Sequence, residues 1–158
     1  MTDIPSIYLP PVTVAREAVE ARLRTLTQVA GAWEVTYRDS LADILVPQAD
    51  IELALVGTGT TDVQQNLTSL DEETWAFMAM VTCSRALAND DVSIRRVVEV
   101  TLHAVRNLLL SDITQGVPGV VVSTVVNDYE IADALDRGYY SGTLAFHLTI
   151  WNSRPELF

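Results

Sequence analysis

Apolar residues in this chain switch between helical and strand-like spacing, and each switch marks an element. Ala15, Ala18, Val19, Arg22 and Leu26 follow helical spacing, with Leu23 beside them, and Arg16, Glu17, Glu20 and Arg24 form a polar face. This predicts a helix from Val12 or Thr13 to about Ala30, stopped by Gly31. Trp33, Val35 and Tyr37 then alternate with Glu34, Thr36 and Arg38, which predicts a strand. Pro47 breaks the chain before a second strand, where Ile51, Leu53 and Leu55 face one side. Gly57 to Glu73 reads as a long polar loop, a kind that is usually functional or mobile in a compact domain. "TWAFMAMVTCS" is apolar on both faces, so a central strand covered on both sides is expected.

The stretch around Ile94, Val97, Val98, Thr101, Val105, Leu108 and Leu109 is the clearest helix. Asn89 or Asp90 can cap it, and Asp90 and Asp91 complement its dipole. "GVVVSTVV" reads as a strand, and Asn127 to Gly138 as an acidic connection with room for a helical turn. In the last strand Leu144, Phe146, Leu148 and Ile150 face in, while Thr143, His147 and Thr149 face out. The expected order is α-β-β-β-α-β-β. That is an α+β fold: a largely antiparallel mixed sheet of about five strands packed against two main helices. One domain is expected over residues 1–158, with 1–11 as an extended, proline-rich arm and 12–158 as the core.

Charge narrows the chemistry. The formal net charge is -11, and every basic residue is Arg. A nucleic-acid grip needs clustered positive charge, and without lysine neither a Schiff base nor a P-loop lysine can form. No apolar run reaches the roughly 18 residues of a membrane span, and the N-terminus lacks a signal-peptide pattern, so assembly in a cytoplasm is expected. Without a signal peptide, the acceptor pattern at Asn66 has no bearing. The lone Cys83 lies in an apolar run, a poor setting for a thiolate and too little for a zinc site.

Two glycine-bearing stretches invite a phosphate-binding reading. In "SDITQGVPGVVV" the order is helix, loop, strand, the reverse of a P-loop, and Pro118 removes a donor; a connector is expected. "GTGTTD" matches no nucleotide motif and reads as turn chemistry. His103 and His147 fall on polar faces of different elements, and the carboxylate pairs Glu72–Glu73 and Asp90–Asp91 read as loop and helix-start charges. No enzyme, cofactor or metal is expected.

Several segments together resemble the tail terminator (tail completion) proteins of tailed bacteriophages. They are "VAREAVEARLRTL", "VPQADIELALVG", "TWAFMAMVTC", "RRVVEVTLHAVRNLLLSD", "GVPGVVVSTV" and the alternating C-terminal strand. The resemblance implies a structural virion protein at the head-proximal end of the tail. It implies a hexameric ring that caps the tail tube, stops its polymerisation and joins the neck or head-completion proteins. DNA would pass through the lumen without specific binding, and no membrane is involved. The arm, the 57–73 segment and the 127–138 connection are then candidates for contacts, with Tyr8, Asp62, Asp128 and Glu130 on them. Tyr139, Tyr140 and Trp151 are aromatic candidates beside them. The alternatives are another head–tail connector protein, a tube or sheath subunit, or, in a different class, a small α+β ligand-binding domain or enzyme.

Overall fold

The computed structural model describes residues 10–29, 33–38, 51–65, 70–84, 91–117, 121–134 and 139–153. Helix α1 spans Pro11–Leu23, and α2 spans Asp91–Ser111. The strands are β1 (Gln28–Val29), β2 (Trp33–Arg38), β3 (Ile51–Gln65), β4 (Leu70–Ser84), β5 (Val121–Ala134) and β6 (Tyr139–Ser153). They form one six-stranded sheet in the order β1-β2-β3-β4-β6-β5. All pairings are antiparallel except β2 with β3, which is parallel. The fold is therefore α+β with a mixed, largely antiparallel sheet, and both helices lie on one face.

Pro11 opens α1 at a position where its missing N–H costs nothing. The helix ends at Leu23, short of the expected Ala30. The β-branched residues Thr25, Thr27 and Val29 favour extended backbone there. Thr25 Oγ1 donates to Arg22 O at 2.6 Å, and the chain then enters β1. Gly31, the expected stop, and the capping candidates Asn89 and Asp90 lie outside the described residues.

The expected polar loop from Gly57 to Glu73 is mostly strand. β3 continues to Gln65 and β4 begins at Leu70. Two register shifts, between Gly57 and Gly59 and between Thr60 and Asp62, insert extra residues and break the alternation that would have revealed the strand. The expected connection at Asn127–Gly138 is also corrected: β5 runs to Ala134, with a shift between Val126 and Asp128. Pairing with β6 overrides the low strand propensity of its Asp and Asn residues.

The core lies between the helices and one sheet face. Val19 and Leu23 of α1 and Val98, Leu102 and Val105 of α2 meet Ile51, Leu53, Val81, Leu144 and Leu148. Phe77 and Phe146 stack at 5.7 Å between ring centroids. β4 is central, as expected, but no described helix covers its second face, where Ala76, Met78 and Met80 are half-buried. Gly142 sets the helix-to-sheet distance. A Cβ there would lie 2.6 Å from Val98 Cγ1 and 2.8 Å from Leu102 Cδ1. Gly142→Ala should therefore destabilise the fold by about 1–3 kcal/mol through overpacking. Urea denaturation measures this; an unchanged midpoint would mean that α2 lifts off β6 without cost.

Candidate functional site

The loop after α2 is built around an arginine that arrives from α1. Arg22 sits on the apolar stripe of α1, which carries its guanidinium to the C-terminal end of α2. Its Nη2 donates to Leu108 O and to Ser111 Oγ, each at 2.6 Å. Its Nη1 donates to Asp112 O at 3.0 Å and to Gln115 Oε1. A helix C-terminus leaves carbonyls without intrahelical partners and carries partial negative charge, so a cation with a planar fork of donors suits it.

Gln115 extends this contact into the sheet. It is 2 % exposed, and its Nε2 donates to Leu109 O at 2.8 Å and to Thr124 Oγ1 of β5 at 2.7 Å. Thr124 Oγ1 in turn donates to Ile113 O at 2.8 Å. Gln115 and Gly116 both have positive φ, 54° and 66°, a left-handed pair that reverses the chain as helices often end. The backbone N–H groups of this turn are engaged internally. Thr114 N reaches Asp112 Oδ1, Gln115 N reaches Asp112 O, Gly116 N reaches Thr114 Oγ1 and Val117 N reaches Thr114 O. A phosphate would find no row of free donors here. The segment is a connector, which α1 clamps.

Asp112 closes the turn. Its Oδ1 accepts from Thr114 Oγ1 at 2.5 Å and from Thr114 N at 3.0 Å. The Thr114 hydroxyl first, then its N–H, with help from the Arg22 guanidinium, holds this carboxyl below the ordinary value of 3.8. Sequence reading missed Arg22, Gln115 and Thr124 as a unit. The available signal was an arginine on the apolar stripe of a helix.

Arg95 pairs with Glu99 at 3.3 Å at exposed positions of α2, and Arg38 forms an ion pair with Glu52, at 2.9 Å, on the face of the sheet away from the helices. Glu52 and Thr82 are each 1 % exposed there. Further along the same face, Thr74 and Thr149 share a hydroxyl contact at 3.4 Å, and His147 and Trp151 are half-buried. Across the four long strands charge has one sign. They contain Glu52, Asp62, Asp71, Glu72, Glu73, Asp128, Glu130 and Asp133, and no Arg or Lys. The exposed Arg16, Arg95 and Arg96 belong to the helices.

The candidate contact residues divide between regions of the sheet. Trp151 lies opposite Glu72, near the β3–β4 hairpin end, and the register places Asp62 opposite Thr74 in that region. Tyr139 pairs with Ser84 and Ala134 at the opposite end, Asp128 with Ala145, and the exposed Glu130 with Thr143. Tyr140, expected among interface aromatics, is instead 2 % exposed within the single chain and packs in the core. Its place on the helix side of β6, opposite Cys83, explains this. Tyr8 lies outside the described residues. His103 is exposed on α2 and His147 lies on the other side of the sheet, so the two do not converge. Among the described residues no three His, Cys, Asp or Glu side chains are grouped to hold a metal ion, and no helix is long and apolar enough to cross a membrane. Cys83 is buried. No protein-family model matches the chain, and no curated protein matches it.

Arg22→Ala should lower stability by about 2 kcal/mol or more, because it strands Gln115 Oε1 and the last carbonyls of α2. Arg22→Lys should recover less than half, since one ammonium cannot reproduce the fork. Urea denaturation gives both values, and equal stability of all three proteins would remove the clamp from the account.

Asp112 has a depressed folded-state pKa, so its contribution is fully present above 3.8 and is lost as pH falls through the folded value. The stability gap between wild type and Asp112→Asn should therefore be constant near neutrality and shrink only below that point. Denaturation midpoints from neutral to strongly acidic pH would reveal it; a gap that widens in acid contradicts the assignment.

Proposed function

We propose that this chain is a structural subunit of a bacteriophage tail, a tail terminator that assembles into a ring, six subunits being the expected number. It sits at the head-proximal end of the tail, caps the tube and offers a surface to the neck, after assembly in the host cytoplasm. The observation that carries this reading is the charge segregation of the fold. Three of the four long strands, β3, β4 and β5, bear acidic residues, and none of the four bears Arg or Lys, a composition suited to a wall along which DNA slides without being held.

Two further features support it. A closed ring repeats one heterologous contact, so each subunit needs two different patches. The candidate residues are spread toward opposite ends of the sheet. The segments quoted above also resemble terminator proteins in order and style, and the turn after α2 acts as a clamp between layers, the N–H groups of Thr114 to Val117 being engaged internally.

Light scattering over a concentration series tests the reading. Six copies of the 17.4 kDa chain weigh about 104 kDa, and a stable species at that mass is the expected outcome. Twelve copies would point to a head-side connector, and open-ended growth to a tube or sheath subunit. A monomer at every concentration, together with no labelling at the head-proximal end of purified tails, would end the proposal.

A further inference from the structure

β5 is the last strand of the sheet, and among the described residues only β6 pairs with it. In an antiparallel pair alternate residues turn their N–H and C=O groups away from the partner, so one side of β5 carries a row of backbone groups that no strand among the described residues uses. A free edge alone is common. Three observations on this one make it a docking site.

The first is a notch. α2 and β5 enclose a cavity of about 200 Å³ lined by Glu99, Leu102, His103 and Ile131. Glu99 and His103 are exposed on the helix, and Ile131 is half-buried on the edge strand itself. The notch therefore lies where an added strand would run, with an apolar floor of Leu102 and Ile131 and a polar wall from the helix. It suits one branched aliphatic side chain.

The second is exposed apolar surface. Val125 of β5 is 44 % exposed, and Ile113 is 47 % exposed in the loop whose carbonyl accepts from Thr124 of β5. Among the described residues, two of the three large apolar side chains that are exposed thus stand near the same edge.

The third is charge, which decides the occupant. β5 carries Asp128, Glu130 and Asp133 and no basic residue; Glu99 on α2 is already paired with Arg95 at 3.3 Å, so the strand's own acids set the charge of the edge. The register shift at Asn127 and these acids are the devices by which proteins guard an edge against pairing. Here the guard has only one sign. It opposes the β5 edge of a second copy, which carries the same three acids and no Arg or Lys. It does not oppose a basic strand.

The geometry points to β-strand addition: the free edge of β5 accepts an extended basic segment of another protein, with one aliphatic side chain in the notch between Leu102 and Ile131. Backbone pairing supplies affinity, and Glu130, on the sheet face opposite the notch to which the residues flanking the anchor point, selects arginine or lysine there. This inference rests on the edge, the notch and the charge, and does not depend on ring formation.

The probe is a capped heptapeptide of alternating valine and arginine. One control carries glutamate for arginine, and a second has its central residue replaced by proline. Fluorescence anisotropy of the labelled peptide on the full chain gives the affinity, and hydrogen–deuterium exchange by mass spectrometry gives the location. The expected result is binding of the arginine peptide at least tenfold tighter than either control, with exchange slowed in residues 121–134 and around Glu99–His103. Glu130→Lys, at an exposed position that leaves the core intact, should weaken the arginine peptide at least threefold and improve the glutamate peptide. Absence of binding at millimolar peptide overturns the inference. So does equal binding of the proline control, which would mean charge attraction without strand pairing, or protection confined to another surface. Protection of residues 121–134 that rises with protein concentration in the absence of peptide would assign the edge to a second copy, and overturns it equally.

Discussion

The guanidinium of Arg22 is the point on which the layers of this fold are registered. One side chain from α1 satisfies the carbonyl end of α2, the hydroxyl of Ser111 and the amide of Gln115. Gln115 then binds Thr124 on β5. Helix–helix and helix–sheet positions are thus fixed through a single chain of hydrogen bonds, and the burial of Gln115 and Thr124 raises the cost of leaving either unpaired. The apolar contacts beneath tolerate small slides, because dispersion has no direction. The Arg22 fork does not, because each of its donors has one acceptor within reach. Gly142 complements it from the other side: it lets α2 descend onto β6 until Val98 and Leu102 occupy the space of a Cβ.

Length is the second constraint on the sheet. β3, β4, β5 and β6 each run 14 or 15 residues, roughly 50 Å, longer than a flat sheet can extend without curling. The register shifts in β3 and β5 accommodate this, since a bulge increases local twist and bends the strand. The Thr58 and Thr61 positions, which look like turn residues in sequence, are the residues that the shifts leave between paired neighbours. Irregularity in the pattern is therefore a feature of the curved sheet.

Much of this was legible in sequence where one period ran undisturbed. α2, β4 and β6 follow from their spacing, and the α+β class follows from their order. Legibility failed where a bulge shifted the parity, as at Gly57–Asp62 and Val126–Asp128. It failed again where pairing outweighed propensity, as in the acidic half of β5. The parallel pairing of β2 with β3 depends on the path between them, which periodicity does not encode. In the clamp, Arg22 was visible as a charge on an apolar stripe. Its acceptors lie far along the chain, at Leu108, Ser111, Asp112 and Gln115, and only the packing of α1 against α2 brings them together. Tyr140 shows the reverse: an aromatic beside a second aromatic looks like surface recognition, yet the parity of β6 commits it to the core.

Charge segregation constrains which assemblies this fold can join. A two-fold contact between sheets would set acidic strands against acidic strands, and like charges directly opposed cost free energy. A head-to-tail contact escapes this, because it can set the helix layer, where exposed Arg16, Arg95 and Arg96 stand among Glu17 and Glu99, against the acidic strands of the next copy. The same distribution leaves the β5 edge unsuited to its own kind and open to a basic strand. In the assembly proposed above, arrangement of charge, more than its total, would separate contacts repeated between copies from a contact made with a different protein.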